Sequence, residues 1–248
     1  MPVTGSKSLL NYSLSIRLCA DGFSFLVSSA GSGQRLFEEN VVCQEGEALQ
    51  AALERGLELP RIKGREYEHV VLYSMSPSTR LPLDEFRRED MLAVYRLTFA
   101  GQNTRYDDMR FQLLPALDVV ELFTIPNQVE NTLHQHYPSA VVKGYYGTLL
   151  QNLAETQQGS TRPVTFHAAS IDGGIMVVVL RKGKLNFANI FKAQHTADKL
   201  YFILYVWKTL NLDAWHDTCF LYGLGDELYT QVRQYLYNVE NAGNNWEI

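Results

Sequence analysis

Two aspartate–glycine turns hold the residues of this chain best placed to do chemistry. Asp21-Gly22 lies in the run Cys19-Ala20-Asp21-Gly22-Phe23-Ser24. Asp172-Gly173-Gly174 lies in Ala169-Ser170-Ile171-Asp172-Gly173-Gly174-Ile175. Each such turn could serve as a phosphate site. The same dipeptide is the ordinary hairpin turn, because glycine tolerates positive φ, and that is the first reading of both pairs. A third glycine pair, in Leu221-Tyr222-Gly223-Leu224-Gly225-Asp226, joins an apolar run to a helical one. There the glycines let a ligand approach the backbone, and a helix start offers free N–H groups. Asp226 repels a phosphate and suits a ribose hydroxyl better; the run also reads as a plain strand-to-helix connection capped by Asp226.

Other constellations carry less. There is no Gly-x-x-x-x-Gly-Lys-Ser/Thr loop, so a P-loop enzyme is excluded. His134 and His136 are two apart on a helix and diverge. His195 with Asp198 reads as a helix-start pair on the surface. Trp215-His216-Asp217 has no partner nucleophile in view. No catalytic residue and no metal site is assigned.

The elements that must position these residues follow from patterning. Tyr12 to Cys19, Phe23 to Ser28 and Leu36 to Cys43 read as three strands. Glu45 to Leu57 then turns helical, with Leu49, Leu53 and Leu57 on one face. Val70 to Tyr73 is a buried strand. Asp84 is expected to cap a helix carrying Phe86, Met91 and Tyr95. Phe111 to Ile125 is mostly extended, and Asn127-Gln128-Val129-Glu130 reads as a capping box. Ala140 to Tyr146 is a strand. Gln157 to Thr161 is polar and small, as linkers are. Val164 to Ala168, the β-branched run Ile175 to Leu180, and Leu185 to Phe191 form a second triplet of strands. Thr196 is expected to cap a helix that is apolar nearly all round from Leu200 to Leu210, and therefore buried. Cys219 to Tyr222 is a strand, Asp226 to Tyr237 a helix, and Asn241 to Asn245 a frayed tail.

Placing Asp21-Gly22 on Asp172-Gly173 brings Phe25-Leu26-Val27 onto Met176-Val177-Val178. The order strand-strand-strand-helix-strand then occurs twice. This predicts two related α/β lobes with a ligand-binding cleft between them: residues 1–157 with added elements, a linker at 158–162, and residues 163–248.

Composition narrows the function classes. The charge is −5 over 248 residues, and no basic stripe stands out along the sequence, which disfavours nucleic acid and anionic membrane surfaces. Three widely spaced cysteines fit thiols of a reducing cytosol better than disulfides or zinc. The first residues lack a signal-peptide core, and the longest apolar run is too short to cross a bilayer.

The order of elements resembles the actin–Hsp70–sugar kinase superfamily, whose lobes each hold a ribonuclease-H-like unit. More closely, the chain is similar to an uncharacterised bacterial family with an actin-like ATPase fold. The residues that carry this are Ser13 to Ser28, Leu81-Pro82-Leu83 before Phe86, Val119 to Pro126, and Leu185-Asn186-Phe187-Ala188-Asn189 before the helix at Thr196. The resemblance implies two ribonuclease-H-like lobes in tandem, a cytoplasmic location and a protein partner. It leaves ATP with magnesium open as a cofactor. Active superfamily members carry an Asp-x-Gly-Thr/Ser type of loop in each lobe. Neither turn here has that form, and Arg17 and His167 stand near where the metal-binding acid is expected. The resemblance therefore implies a nucleotide-binding protein with little or no hydrolysis, at Asp21, Gly22, Asp172, Gly173, Gly174, Gly223, Gly225 and Asp226. The alternative is a pseudo-enzyme that serves as a protein-interaction scaffold.

Overall fold

The computed structural model describes residues 12–171 and 173–243. The chain divides into two compact units. The first contains the residues up to Leu113 together with Val120–Gly147; the second contains Leu114–Val119 and the residues from Thr148 onward.

Unit 1 begins with the meander β1 (Tyr12–Leu18), β2 (Gly22–Ser29) and β3 (Arg35–Val42), followed by α1 (Leu49–Leu57) and β4 (Tyr67–Ser74). An insertion then supplies β5 (Thr79–Pro82), α2 (Met91–Thr98), β6 (Met109–Leu114) and β7 (Val119–Thr124). After it come α3 (Asn127–His136), β8 (Val141–Gly144) and the first residues of α4 (Tyr145–Thr156), which from Thr148 onward belongs to unit 2. Its main sheet has the order β3-β2-β1-β4-β8, and the insertion forms a separate sheet β5-β7-β6. Leu14, Ile16, Phe25 and Val27 alternate onto one sheet face and bury against Leu53 of α1 and Leu133 of α3. Full burial of each such side chain contributes about 1.5–3 kcal/mol.

Unit 2 repeats this plan. It contains β9 (Val164–Ile171), β10 (Gly174–Arg181), β11 (Lys184–Lys192), α5 (Thr196–Thr209), β12 (Thr218–Tyr222), α6 (Gly225–Val232) and β13 (Val239–Asn241). Its sheet order, β11-β10-β9-β12-β13, matches that of unit 1 strand for strand. Phe166, Val177 and Leu221 face Ile203 and Val206 of α5 and Leu228 of α6.

Several expected elements shift for physical reasons. Asp84 lies in a short 3-10 turn, and α2 starts only at Met91. Asn127 forms no capping box; its own N–H donates to Asp108 Oδ1 (2.8 Å), while Glu130 is engaged by Arg110. The cap of α5 is His195 rather than Thr196, in a box closed by Asp198. Asn241 is not in a frayed tail but ends β13, where Leu221 pairs with it; residues 244–248 lie outside the described ones. Helix α5 is not buried all round: Tyr201 and Tyr205 are exposed.

Candidate functional site

Each glycine turn is built by the strand register around it. In unit 1, Leu18 pairs with Phe23, and the Cys19 N–H donates to the Gly22 carbonyl (2.9 Å). The Asp21 carbonyl accepts the Cys43 N–H at the end of β3 (2.8 Å), and the Asp21 side chain is exposed. Gly22 has φ +151°, and a Cβ there would lie 2.1 Å from the Val41 carbonyl oxygen. Glycine is required at this position by close approach of β3.

Unit 2 repeats the device. Ile171 pairs with Gly174. Gly173 has φ +70°, and its carbonyl accepts the Ala193 N–H (3.3 Å). A Cβ on Gly174 would lie 2.2 Å from the Phe191 carbonyl oxygen. The structural counterpart of Gly22 is thus Gly174, so the alignment of the two Asp-Gly pairs is one residue out. Register, not the turn dipeptide, sets the equivalence, and Asp21 corresponds in position to Gly173. Asp172 lies outside the described residues. Both sheets also carry a bulge at the matching step, between Val27 and Ser28 and between Val179 and Leu180.

The residues standing where a metal-binding acid was expected are committed elsewhere. The Arg17 guanidinium lies over the Tyr145 ring, 5.8 Å from its centroid. His167 is fully buried, stacked on Phe220 (4.9 Å), with its ring nitrogens facing Tyr222 Oη (3.1 Å) and Thr165 Oγ1 (2.9 Å). Burial, with the nearby Arg162 charge, lowers its pKa to about 3, so it is neutral at pH 7. Among the described residues no group of three His, Cys, Asp or Glu side chains could hold a metal ion.

The third turn differs from the hairpins. Gly223 (φ +61°) and Gly225 (φ +74°) are both exposed, and a Cβ on Gly225 would meet nothing within 4 Å. Gly223 is tied back by its N–H to the Gly243 carbonyl (2.8 Å). No side chain caps α6, so its first N–H groups have no cap, while Asp226 and Glu227 put two carboxylates in its first turn. That charge disfavours phosphate and leaves hydroxyl groups as the better match. A cavity of about 150 Å³ in the same unit, bordered by Gln158, Ser160, Arg162, Thr165 and Lys182, contains none of the expected site residues.

Patterning alone missed Glu121. It sits in the apolar run of β7 and is fully buried. Ser78 Oγ (2.7 Å) and Arg80 Nη2 (2.8 Å) donate to its Oε1. A Cβ on Gly147 or Gly144 would fall 2.0 or 2.3 Å from Oε2, so both glycines are needed to admit the carboxylate. Desolvation raises its pKa, against the pull of Arg80 and Ser78. The available signal was a lone acid amid Val119, Val120, Leu122 and Phe123.

Two sheets of identical order, each faced by two helices, define a protein of the actin-like ATPase fold. A Bacteroides thetaiotaomicron VPI-5482 protein of that fold and of unknown function is 25% identical, with a TM-score of 0.76 over 93% of this chain and 90% of that one. The PilM–PilN type IV pilus biogenesis complex contains a chain that is 13% identical, with a TM-score of 0.53 over 92% and 88%. Residues 6–239 match the model of the DUF3822 family of proteins of unknown function, and this chain belongs to that family. Among proteins of curated function, none matches. No helix among the described residues is long and apolar enough to cross a membrane.

Proposed function

We propose that this protein is a non-hydrolysing member of the actin-like fold that acts in the cytoplasm by binding a protein partner. The observation that carries this reading is the use made of the two hairpin turns. Gly22 and Gly174 are consumed by close approach of β3 and β11, and the positions before them hold Arg17 and a neutral, fully bonded His167. At the described part of the two turns the one carboxylate is Asp21, exposed on a turn whose backbone bonds the end of β3. The PilM–PilN complex, a fold relative caught with a partner, supports the same direction. Purified protein with magnesium and ATP is expected to release no phosphate above a protein-free blank. Turnover on the order of 1–10³ per second, usual for enzymes, would overturn the reading.

A second reading rests on the open backbone at Gly223-Leu224-Gly225. If a nucleotide binds, it binds here through its ribose, with Asp226 accepting from a hydroxyl. ATP, ADP and AMP at 100 times their dissociation constant then stabilise the fold by about 2.7 kcal/mol. Gly225→Val, strained at φ +74°, removes the thermal shift. An unchanged shift in a folded variant would place the ligand elsewhere. We retain residues 158–162 as the linker, because Gln158–Arg162 are exposed and lie outside helix and strand. Limited digestion with a protease of broad specificity, such as proteinase K, should cut first within residues 158–162; first cuts inside either sheet would count against it.

A further inference from the structure

We propose that the outer edge of β11, with the aromatic side of α5, binds an acidic protein segment in extended conformation, which adds to the sheet as another strand. The inference gives a surface and a chemistry to the partner read above, and it rests on that reading only for the existence of a partner.

The backbone supplies the first observation. Among the described residues β11 ends the sheet order, so one side of it carries no ladder. The Ile190 N–H is bonded to the Asn189 side chain (2.9 Å), a local partner that an incoming strand can replace. Extended peptides add to such edges through main-chain hydrogen bonds, with pockets for alternate side chains.

The second observation is an aromatic row beside that edge. Phe187 stacks with Phe191 (6.5 Å), Phe191 with Phe202 of α5 (4.4 Å), and Phe202 meets Tyr201 edge-on (5.2 Å). Tyr201 in turn stacks with Tyr205 (5.9 Å). The row begins at the rim of the core and ends in solvent, where Tyr201 and Tyr205 are 60% and 50% exposed. Edge lysines alone could be explained as guards against strand-to-strand aggregation. Guarding does not explain two large rings held outward beside them.

The third observation is charge. Between Arg181 and Lys208 lie six basic residues and one acidic one, a local +5 in a chain whose total is −5. Lys184 pairs with Asp118. Arg181 instead bonds the Asn186 side chain and the Leu210 carbonyl, and Lys199 bonds the Ser170 hydroxyl. Among the described residues no carboxylate pairs with Arg181, Lys182, Lys192, Lys199 or Lys208. Asp198, the one acid in the stretch, is occupied with the cap of α5. A strand with alternating apolar and acidic residues matches both features: its apolar side chains cover the rings on the α5 face, and its carboxylates, on the other face, meet Lys192.

The test uses the full chain and two fluorescein-labelled peptides, one of four Glu-Val repeats and one of four Lys-Val repeats, titrated by anisotropy. The acidic peptide should bind at least tenfold more tightly than the basic one, and more weakly as salt rises. Ile190→Pro removes only the outward N–H and should lower affinity at least tenfold with the melting temperature little changed. Lys192→Glu should narrow or reverse the preference between peptides, and this decides the matter if the proline variant does not fold. Equal binding of both peptides overturns the proposal. So does undiminished binding by folded Ile190→Pro, or binding to phosphatidylserine vesicles without binding to the acidic peptide. ATP turnover would remove the functional reading yet leave the peptide result standing, so the two failures are distinguishable.

Discussion

Units 1 and 2 solve one packing problem with different residues. Gly22 and Gly174, 152 positions apart, occupy the same place at the start of the second strand, pressed by the Val41 and Phe191 carbonyls. Where unit 1 puts Phe25 on its core face, unit 2 puts Val177. The larger ring is accommodated by Gly56 of α1, whose added Cβ would lie 2.2 Å from it, whereas α5 has no glycine. At the matching place on the opposite face, unit 1 has Ser15 and unit 2 the buried His167. Unit 1 alone carries the inserted sheet with Glu121 at its heart. The edge strands differ too. β3 carries Glu38 and Glu39, one accepting from Ser24 Oγ (2.6 Å) and the other paired with Arg61, while β11 carries lysine at both ends. What the two units share is backbone geometry; what separates them is charge, and charge is where function can diverge without loss of fold.

The comparison breaks most sharply at Glu121. Glu121→Ala leaves Arg80 buried without its partner, and removing one member of such a pair costs about 3–5 kcal/mol. Among the described residues the ion pairs of unit 2 are exposed. A loss below about 1 kcal/mol in urea unfolding would show that the pair is not holding the insertion together.

Next come the paired glycines. Gly22→Ala should cost about 3 kcal/mol, combining overpacking with a strained positive φ. Gly174→Ala, which meets a carbonyl at similar distance without the positive φ, should cost about 2 kcal/mol. Equal losses, or the reverse order, would show that close approach alone decides both sites.

Acid should act on the units in opposite directions. His167 has a folded pKa depressed to about 3, below its unfolded value near 6.5. Its contribution is complete above pH 6.5 and is lost as pH falls towards 3, with a slope of up to about 1.4 kcal/mol per pH unit. Glu121 has a raised folded pKa, so its titration favours the folded state below its unfolded value and loses that contribution as pH rises. Melting temperatures from pH 7 to pH 4 should therefore fall less steeply in His167→Phe than in the native protein. Parallel acid limbs would mean that His167 is not the titrating group.

The smallest effect converts one unit's packing to the other's. Gly56→Ala alone should cost about 1–3 kcal/mol by overpacking against Phe25. Adding Phe25→Val, the residue type of unit 2, should recover about 1 kcal/mol of that through coupling. Strict additivity would place the two groups out of contact, against the geometry.

The strands were legible because β-branched and apolar runs such as Ile175 to Leu180 announce them, and their repeated order revealed both units. Helix ends were not. The N–H at the start of α3 is satisfied by Asp108, nineteen residues upstream, and no local window contains that partner. β13 escaped notice because only Val239 in it is apolar. α5 looked buried because Tyr201 and Tyr205 fill its outer face with rings, erasing the polar stripe that marks a surface. At the hairpins the glycines were found for their turn chemistry. Their actual constraint, a carbonyl of the third strand, belongs to tertiary packing. Glu121 was passed over because its partners lie on Ser78, Arg80 and the glycines near α4, none adjacent in sequence.

The short stretch Leu114–Val119 has a consequence for synthesis. It runs from the last residue of β6 to the first of β7, yet it groups with unit 2, and Leu117 ends up buried. All five strands of the first sheet have left the ribosome once Gly144 is out, whereas the second sheet waits for Asn241. At about 5–20 residues per second, the roughly one hundred residues between them take about 5–20 seconds. Within that interval Leu117 waits for β11, the strand of the second sheet that its turn packs against. The nascent chain thus offers a timed apolar handle, one that a holding chaperone can grip and that the arrival of β11 releases.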